Sequence, residues 1–530
     1  MWFDRAENVG ARQISKTKSF QAPIRGWIRN DAISSPKPGG AEVLDNFVPT
    51  AEGCRMRGGL EKHATTDDAV THFAVYDDGE TPLFFATTAT DIYDITAPAD
   101  PDVAPTAEVS SLTSGDFASE QFRTSAGGIY LYFVNGADKP QLFDGTNWVA
   151  VDGVSTPAIT GVTTTDLSYV WSFKNRLFFV ESGTMSAWYL GTDAVGGAAA
   201  KIPLGGVFHL GGSLLFGATW SLDSGRGLDD VCLFVSDKGE IAVYEGTDPS
   251  AADTWALVGV YRIGRPLGKN CQFKAGGDLA VITDDGIVPI SAAVKQDRAA
   301  LAGSAITYPI ETVWRQLVRD RDAGINPFSV TLWHKEALMV VGVPTTGSQD
   351  KVCLVANART GAWARFTGWD TRAVTVFNDK LYFGTASGEV FEGDVSGSDN
   401  GAPYSAVVIP RMDDFKSPAE KVAVHARIVA RGNVAFTPQL FANADYEVNV
   451  PTPIPADPDT AANLWGTGVW GTAEWGSSTT DKMRISEWQT VDGIGHALAP
   501  GLQITSGRTT APDVELIRLD LQYEEGAVLG

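Results

Sequence analysis

Hydrophobic and polar positions alternate with period two along most of this chain, in short runs broken by Gly-, Asn- and Asp-rich turns. The stretch "KLYFGTASGEVFEGD" (380–394) is the clearest instance. Leu381 and Phe383 share one strand face because successive side chains point to opposite sides. Ala386-Ser387-Gly388 makes the reversal, with Gly388 free to take a positive φ. Val390 and Phe391 place apolar groups on both faces of the return strand, as stacked sheets require. Looser spellings of the same hairpin occur upstream, anchored on Leu83, Leu131, Leu177, Leu215, Leu279, Leu338 and Leu381. Their intervals are comparable with the ~40–50 residues of a four-stranded propeller blade, and the two longest must hold insertions. The pattern predicts an all-β fold: a β-propeller of six to eight blades over 68–400. A string of β-sandwiches is the competing arrangement, and the lack of linkers between units favours the propeller.

One insertion reads as a helix. In "ITYPIETVWRQLVRDRDAG" (306–324), Ile310, Val313, Trp314 and Leu317 fall on one face, Pro309 suits the first turn and Gly324 the end. The helical insertion is placed near 306–320.

The two ends of the chain depart from this pattern. Residues 1–67 are rich in Gly and Pro, with isolated apolar anchors such as Trp27 and Phe47. They predict an extended N-terminal arm laid across the first blade or a neighbouring subunit, so Trp27 and Phe47 are candidate partner contacts. Residues 401–530 predict a C-terminal β-sandwich-like domain. In "KVAVHARIVARGNVAFTPQLF" (421–441), Val422, Val424 and Ala426 alternate with His425 and Arg427, followed by a hairpin. "APDVELIRLDLQYEE" (511–525) sets Val514 and Leu516 against Arg518 and Asp520 in the same way. A Trp/Gly-rich loop (451–480) carries Trp465, Trp470 and Trp475. Their spacing of five fits neither a helix face nor a simple strand face, so they are either packed on this domain or a candidate surface contact.

Composition narrows the functional classes. Forty-one basic and 64 acidic side chains give a net charge of −23, a surface that repels nucleic acid and suits no stable nucleic-acid binding. Cys54, Cys232, Cys271 and Cys353 lie far apart, which is neither a zinc framework nor a disulfide scaffold. The start, "MWFDRAENVGARQ", lacks the apolar core of a signal peptide, and no run approaches a membrane span. Six scattered histidines form no metal motif, and there is no GxSxG elbow or Walker loop. No metal, cofactor or catalytic residue is therefore expected. Acidic doublets such as Asp284-Asp285 are too numerous to mark a glycosidase pair. "DGTNW" (144–148) is similar to an Asp-box turn but lacks the preceding Ser and a second copy.

The opening "QAPIRGWIRNDAISSPKPGGAEVLDNFVPTAEGCRMRGGLEKHA" (21–64) resembles the start of tail hub or nozzle proteins of short-tailed bacteriophages, the tubular protein B group. There a "G-W-x-x-R-D" phrase leads to "LDNF-P" and an "R-G-G" that enters the first blade. The blades, the helix after "AGSAITYPIETVW" and a terminal β domain follow the same order. The resemblance implies a structural virion protein with no enzyme activity, assembled in the host cytoplasm and placed in the tail. It implies a homo-hexameric ring, contacts with a portal-adaptor protein and with tail fibre or needle proteins, and transient passage of DNA during ejection. A receptor-binding tail protein using the aromatic loop is the alternative reading, and a propeller glycosidase the second.

Overall fold

The structure, a computed structural model, describes residues 15–30, 38–223, 228–251, 254–321, 328–343, 351–432, 436–457 and 482–526. Half of the described residues are strand and 6% helix, and the strands build a β-propeller. The chain divides into two compact units: residues 61–358 with 367–393 form one, and residues 1–60, 359–366 and 394–530 the other.

The first unit is the propeller. Its antiparallel sheets follow one another along the chain, and each begins with one of the strands His72–Tyr76, Ala118–Arg123, Leu167–Phe173, Leu214–Asp223, Gln272–Ala275, Ser329–Trp333 and Ala373–Phe377. These first strands pack side by side, or against the next sheet's second strand, and Ala373–Phe377 returns to lie against His72–Tyr76. The sheets therefore close into a ring, and their number falls within the expected six to eight. Closure is made by a strand from the other end of the sequence. Gly59–Thr65 is the fourth strand of the last blade, beside Glu389–Ser396. Ala64, Phe73, Phe84 and Tyr93 are thereby buried against Phe377, Tyr382 and Val390, with Phe84 stacked on Phe377 at 5.0 Å. Burying each large apolar side chain contributes ~1.5–3 kcal/mol, so this seam is a substantial clasp.

The hairpin of 380–394 forms as predicted, with Phe383 paired to Phe391. Gly388 has φ +84°, and a Cβ there would lie 2.6 Å from the Thr66 carbonyl oxygen. Only glycine fits. Gly217 is required for a different reason: the Trp171 indole lies where its Cβ would be, 2.2 Å away. The longest interval between anchors is taken up by four unusually long strands, Leu214–Asp223, Leu228–Ser236, Glu240–Gly246 and Trp255–Arg262. The predicted helix is present as Glu311–Arg321, after a single 3-10 turn at Tyr308–Ile310. Its buried face is Ile310, Trp314 and Val318, whereas Val313 and Leu317 are only half-buried. Trp314 anchors it by donating from Nε1 to the Thr283 carbonyl at 3.0 Å.

The second unit corrects the expected arm. Its residues are strands of a sandwich-like pair of sheets shared with the C-terminal segment, not an arm laid across a blade. Lys16–Gln21 and Cys54–Met56 pair with Val514–Glu525, and Ala41–Asp45 pairs with Tyr404–Pro410. Lys421–Gly432 and Gln439–Ala444 are not a hairpin: the first pairs with Val514–Glu525, the second with Leu498–Ser506. The simple alternation also fails there. Bulges between Ala423 and His425, and between Val429 and Ala430, add a residue and flip the side-chain parity. Ala423 and Ala426 are buried while Val422 is exposed. Leu516 and Leu519 are both buried, and so is Asp520, which accepts bonds from Ser19 and Arg427 at 2.6 and 2.9 Å.

Candidate functional site

Of the sequence-derived contact candidates, Trp465, Trp470 and Trp475 lie outside the described residues. Trp27 and Phe47 are not surface contacts: they are 4% and 0% exposed. The Trp27 indole donates to the Glu42 carbonyl at 3.1 Å, and the Arg365 guanidinium lies 4.7 Å over its ring. Arg365 in turn holds Asp45 through two bonds of 2.7 and 2.9 Å. The apolar anchors of the first 60 residues are core positions of the second unit, hidden from sequence reading because the strands that cover them come from far along the chain.

The polar residues the structure brings together lie instead near the inner strands of the propeller. Lys269 sits in the segment leading into Gln272–Ala275, yet its side chain reaches the entries of two other blades, neither of them next to its own. Its ammonium donates to the Ser168 carbonyl at 2.8 Å and to the Asp116 carbonyl, with the Asp116 carboxylate at 3.3 Å. Asn270 donates from its side chain to the Phe117 carbonyl at 2.7 Å, and Gln272 donates to the Tyr169 hydroxyl at 2.7 Å. Pro266–Gln272 is thus a brace across the inner end of the propeller. The lysine is only 6% exposed. Burial pulls its pKa down, and Asp116 opposes the shift.

Two further groups face this brace. His72 Nε2 shares a 2.8 Å hydrogen bond with Ser119 Oγ, and burial, reinforced by Lys269, lowers its pKa to about 4. Glu120 accepts from Ser172 Oγ at 2.5 Å, and burial raises its pKa against that bond and the nearby Lys274. A serine hydroxyl on an imidazole is half of a nucleophile arrangement. Here no carboxylate bonds to the other ring nitrogen among the described residues, and the imidazole is a weak base. What these contacts do is tie strands of different blades. Sequence reading missed them because a lone lysine after Gly268 carries no motif.

The remaining chemical candidates resolve locally. Asp144 of "DGTNW" accepts from the Thr146 and Asn147 amides at 2.9 and 2.7 Å, a turn that lowers its pKa. Asp284 accepts from the Arg265 amide at 2.7 Å, and Arg298 approaches Asp285 at 3.0 Å. The four cysteines are buried free thiols, with Cys271 pushed up to about 12 by burial. Among the described residues no cluster of His, Cys, Asp and Glu is arranged to hold a metal, and no helix is long and apolar enough to cross a membrane.

No protein-family model matches the sequence, and no curated protein matches it. Solved structures are similar at low identity. The extracellular domain of the hybrid two-component system BT3049 from B. thetaiotaomicron is 11% identical, with a TM-score of 0.39, over 68% of this chain and 44% of that one. BamB from Moraxella catarrhalis is 13% identical, with a TM-score of 0.33, over 66% and 94%. The computationally designed Ika8 protein is 11% identical, with a TM-score of 0.35, over 63% and 99%.

Proposed function

We propose that this chain is a structural virion protein, a tail hub or nozzle subunit that works as part of a DNA ejection conduit in a short-tailed bacteriophage. The reading rests on the resemblance carried by residues 21–64, on the propeller, and above all on where the basic side chains go. In the propeller, Lys139 faces Asp152 at 2.8 Å, Arg176 faces Asp248 at 3.4 Å, Lys201 faces Glu181 at 3.1 Å and Lys380 faces Glu392 at 3.0 Å. In the second unit, Lys16 pairs with Glu525 at 2.7 Å, Lys18 with Asp413 at 2.9 Å and Arg427 with Asp520 at 2.9 Å. Cations neutralised in this way are poorly placed to collect phosphates, and the acidic surplus of the chain remains. Such a surface lets a polyanion pass without holding it.

In this reading copies of the chain form a ring, hexameric by resemblance, that joins a portal-adaptor protein on one side and fibre or needle proteins on the other. The brace at Lys269 supports a lumen built between copies rather than along the axis of one propeller. Native mass measurement of the purified protein with its adaptor tests the reading. A multi-copy ring on the adaptor, with no retardation of duplex DNA at physiological salt, is the expected result. A persistent monomer, or DNA binding that weakens steeply with salt, contradicts it.

A further inference from the structure

Two backbone edges on this chain carry no sheet partner on their outer side among the described residues, and they are complementary to each other. The first is the outer strand Trp255–Arg262, which pairs only with Glu240–Gly246 among the described residues. The register steps from Val243↔Gly259 to Tyr244↔Leu257, so Val258 is an extra, bulged residue. A bulge re-aims side chains, and here Leu257 and Val258 are 45% and 48% exposed side by side. The short helix Ile290–Lys295 approaches the strand but leaves Ala256, Leu257 and Val258 open. Arg262, exposed at the strand's end, has no ion pair among the described residues. Long apolar edges are liabilities in a monomer unless they are covered.

The second edge is the segment that follows Gln439–Ala444. Residues 445–450 are exposed throughout, and the apolar side chains of Tyr446, Val448 and Val450 alternate with Glu447 and Asn449. The Glu447 and Asn449 amides turn back, donating to the Ala444 carbonyl at 3.1 Å and to Asn443 Oδ1 at 2.7 Å. The Val448 and Val450 amides have no bond among the described residues. Pro451, Pro453 and Pro455 then end any ladder, since proline has no amide to give. Glu447, like Arg262, has no ion pair among the described residues.

We propose that Glu447–Val450 of one copy adds as a short strand to the Trp255–Arg262 edge of the next copy. Run antiparallel with Glu447 beside Arg262, the segment brings Val450 next to Val258 and sets Val448 beside Tyr261. Main-chain bonds supply the adhesion and the alternating side chains the register. Because the two surfaces differ, the contact is head-to-tail, the type that closes into rings. This deepens the ring assigned above and rests on that reading.

The experiment uses the full-length protein in three forms: wild type, Val258→Pro on the edge, and a Val448→Asp/Val450→Asp double variant on the segment. Circular dichroism and melting of each first establish that it is folded. Wild type is expected to form multimers by light scattering, and each variant alone to be monomeric. The two variants mixed are expected to give a one-to-one dimer, because each retains one intact surface. Three results overturn the inference: multimers from folded variants alone, no dimer on mixing, or a folded wild type that never self-associates. Multimers that survive both variants sink this contact but leave the nozzle reading standing. Wild type that stays monomeric even with its adaptor sinks both.

Discussion

At Arg57 a charge is buried completely, with 0% exposure. Its guanidinium grips both carboxylate oxygens of Asp399 at 2.8 Å, donates to Asn46 Oδ1 and the Gly58 carbonyl at 2.8 Å, and lies 4.1 Å over the Tyr404 ring. Removing one partner of a buried pair leaves the other uncompensated, typically at ~3–5 kcal/mol. Arg57→Met is expected to lose about that much in urea unfolding, and adding Asp399→Leu to recover part of it. His72 gives a pH signature. Its folded pKa of about 4 is below the ordinary 6.5, so between those values the unfolded chain binds a proton that the native protein refuses. Stability therefore rises with pH across that window and is lost on acidification, by up to ~3 kcal/mol before discounting partial exposure. Glu120, held above its usual value by burial, acts in the opposite sense from that value upward. Melting temperatures of His72→Gln against wild type from pH 7 to pH 4 should converge as the pH falls; parallel curves would remove His72 from the account.

Hairpins were legible element by element because a strand and its neighbour in sequence are usually also neighbours in the sheet. That is why Leu381, Phe383 and Gly388 could be placed from the sequence, and why the helix around Trp314 could be found from its spacing. The closing strand Gly59–Thr65 was not legible, since its partner lies more than three hundred residues away and nothing local announces the pairing. Bulges hid the rest: one extra residue near Val424 moves Val422 to the surface, and the simple alternation gives no warning. The contact candidates Trp27 and Phe47 failed for the first reason, being covered by strands remote in sequence. The closure itself can be probed at Phe84, fully buried in the seam between the first and last blades. Phe84→Ala should cost ~3–5 kcal/mol and make the propeller more susceptible to proteolysis. Val154→Ala, at a site 90% exposed, should leave both unchanged. Equal behaviour of the two variants would mean that the seam does not hold the ring.

For the whole molecule, the account joins a closed, internally braced propeller to a surface with a large acidic surplus. Under the proposed function, both suit a rigid part that packs beside copies of itself while a polyanion moves past. Electron cryomicroscopy of mature particles of the phage that, on the same proposal, encodes this chain tests that claim most directly. The account predicts a closed ring of propellers around an open lumen at the tail, each propeller's own axis blocked at the Lys269 brace. Density for the chain as a lone peripheral spike, or its absence from the particle, would contradict it.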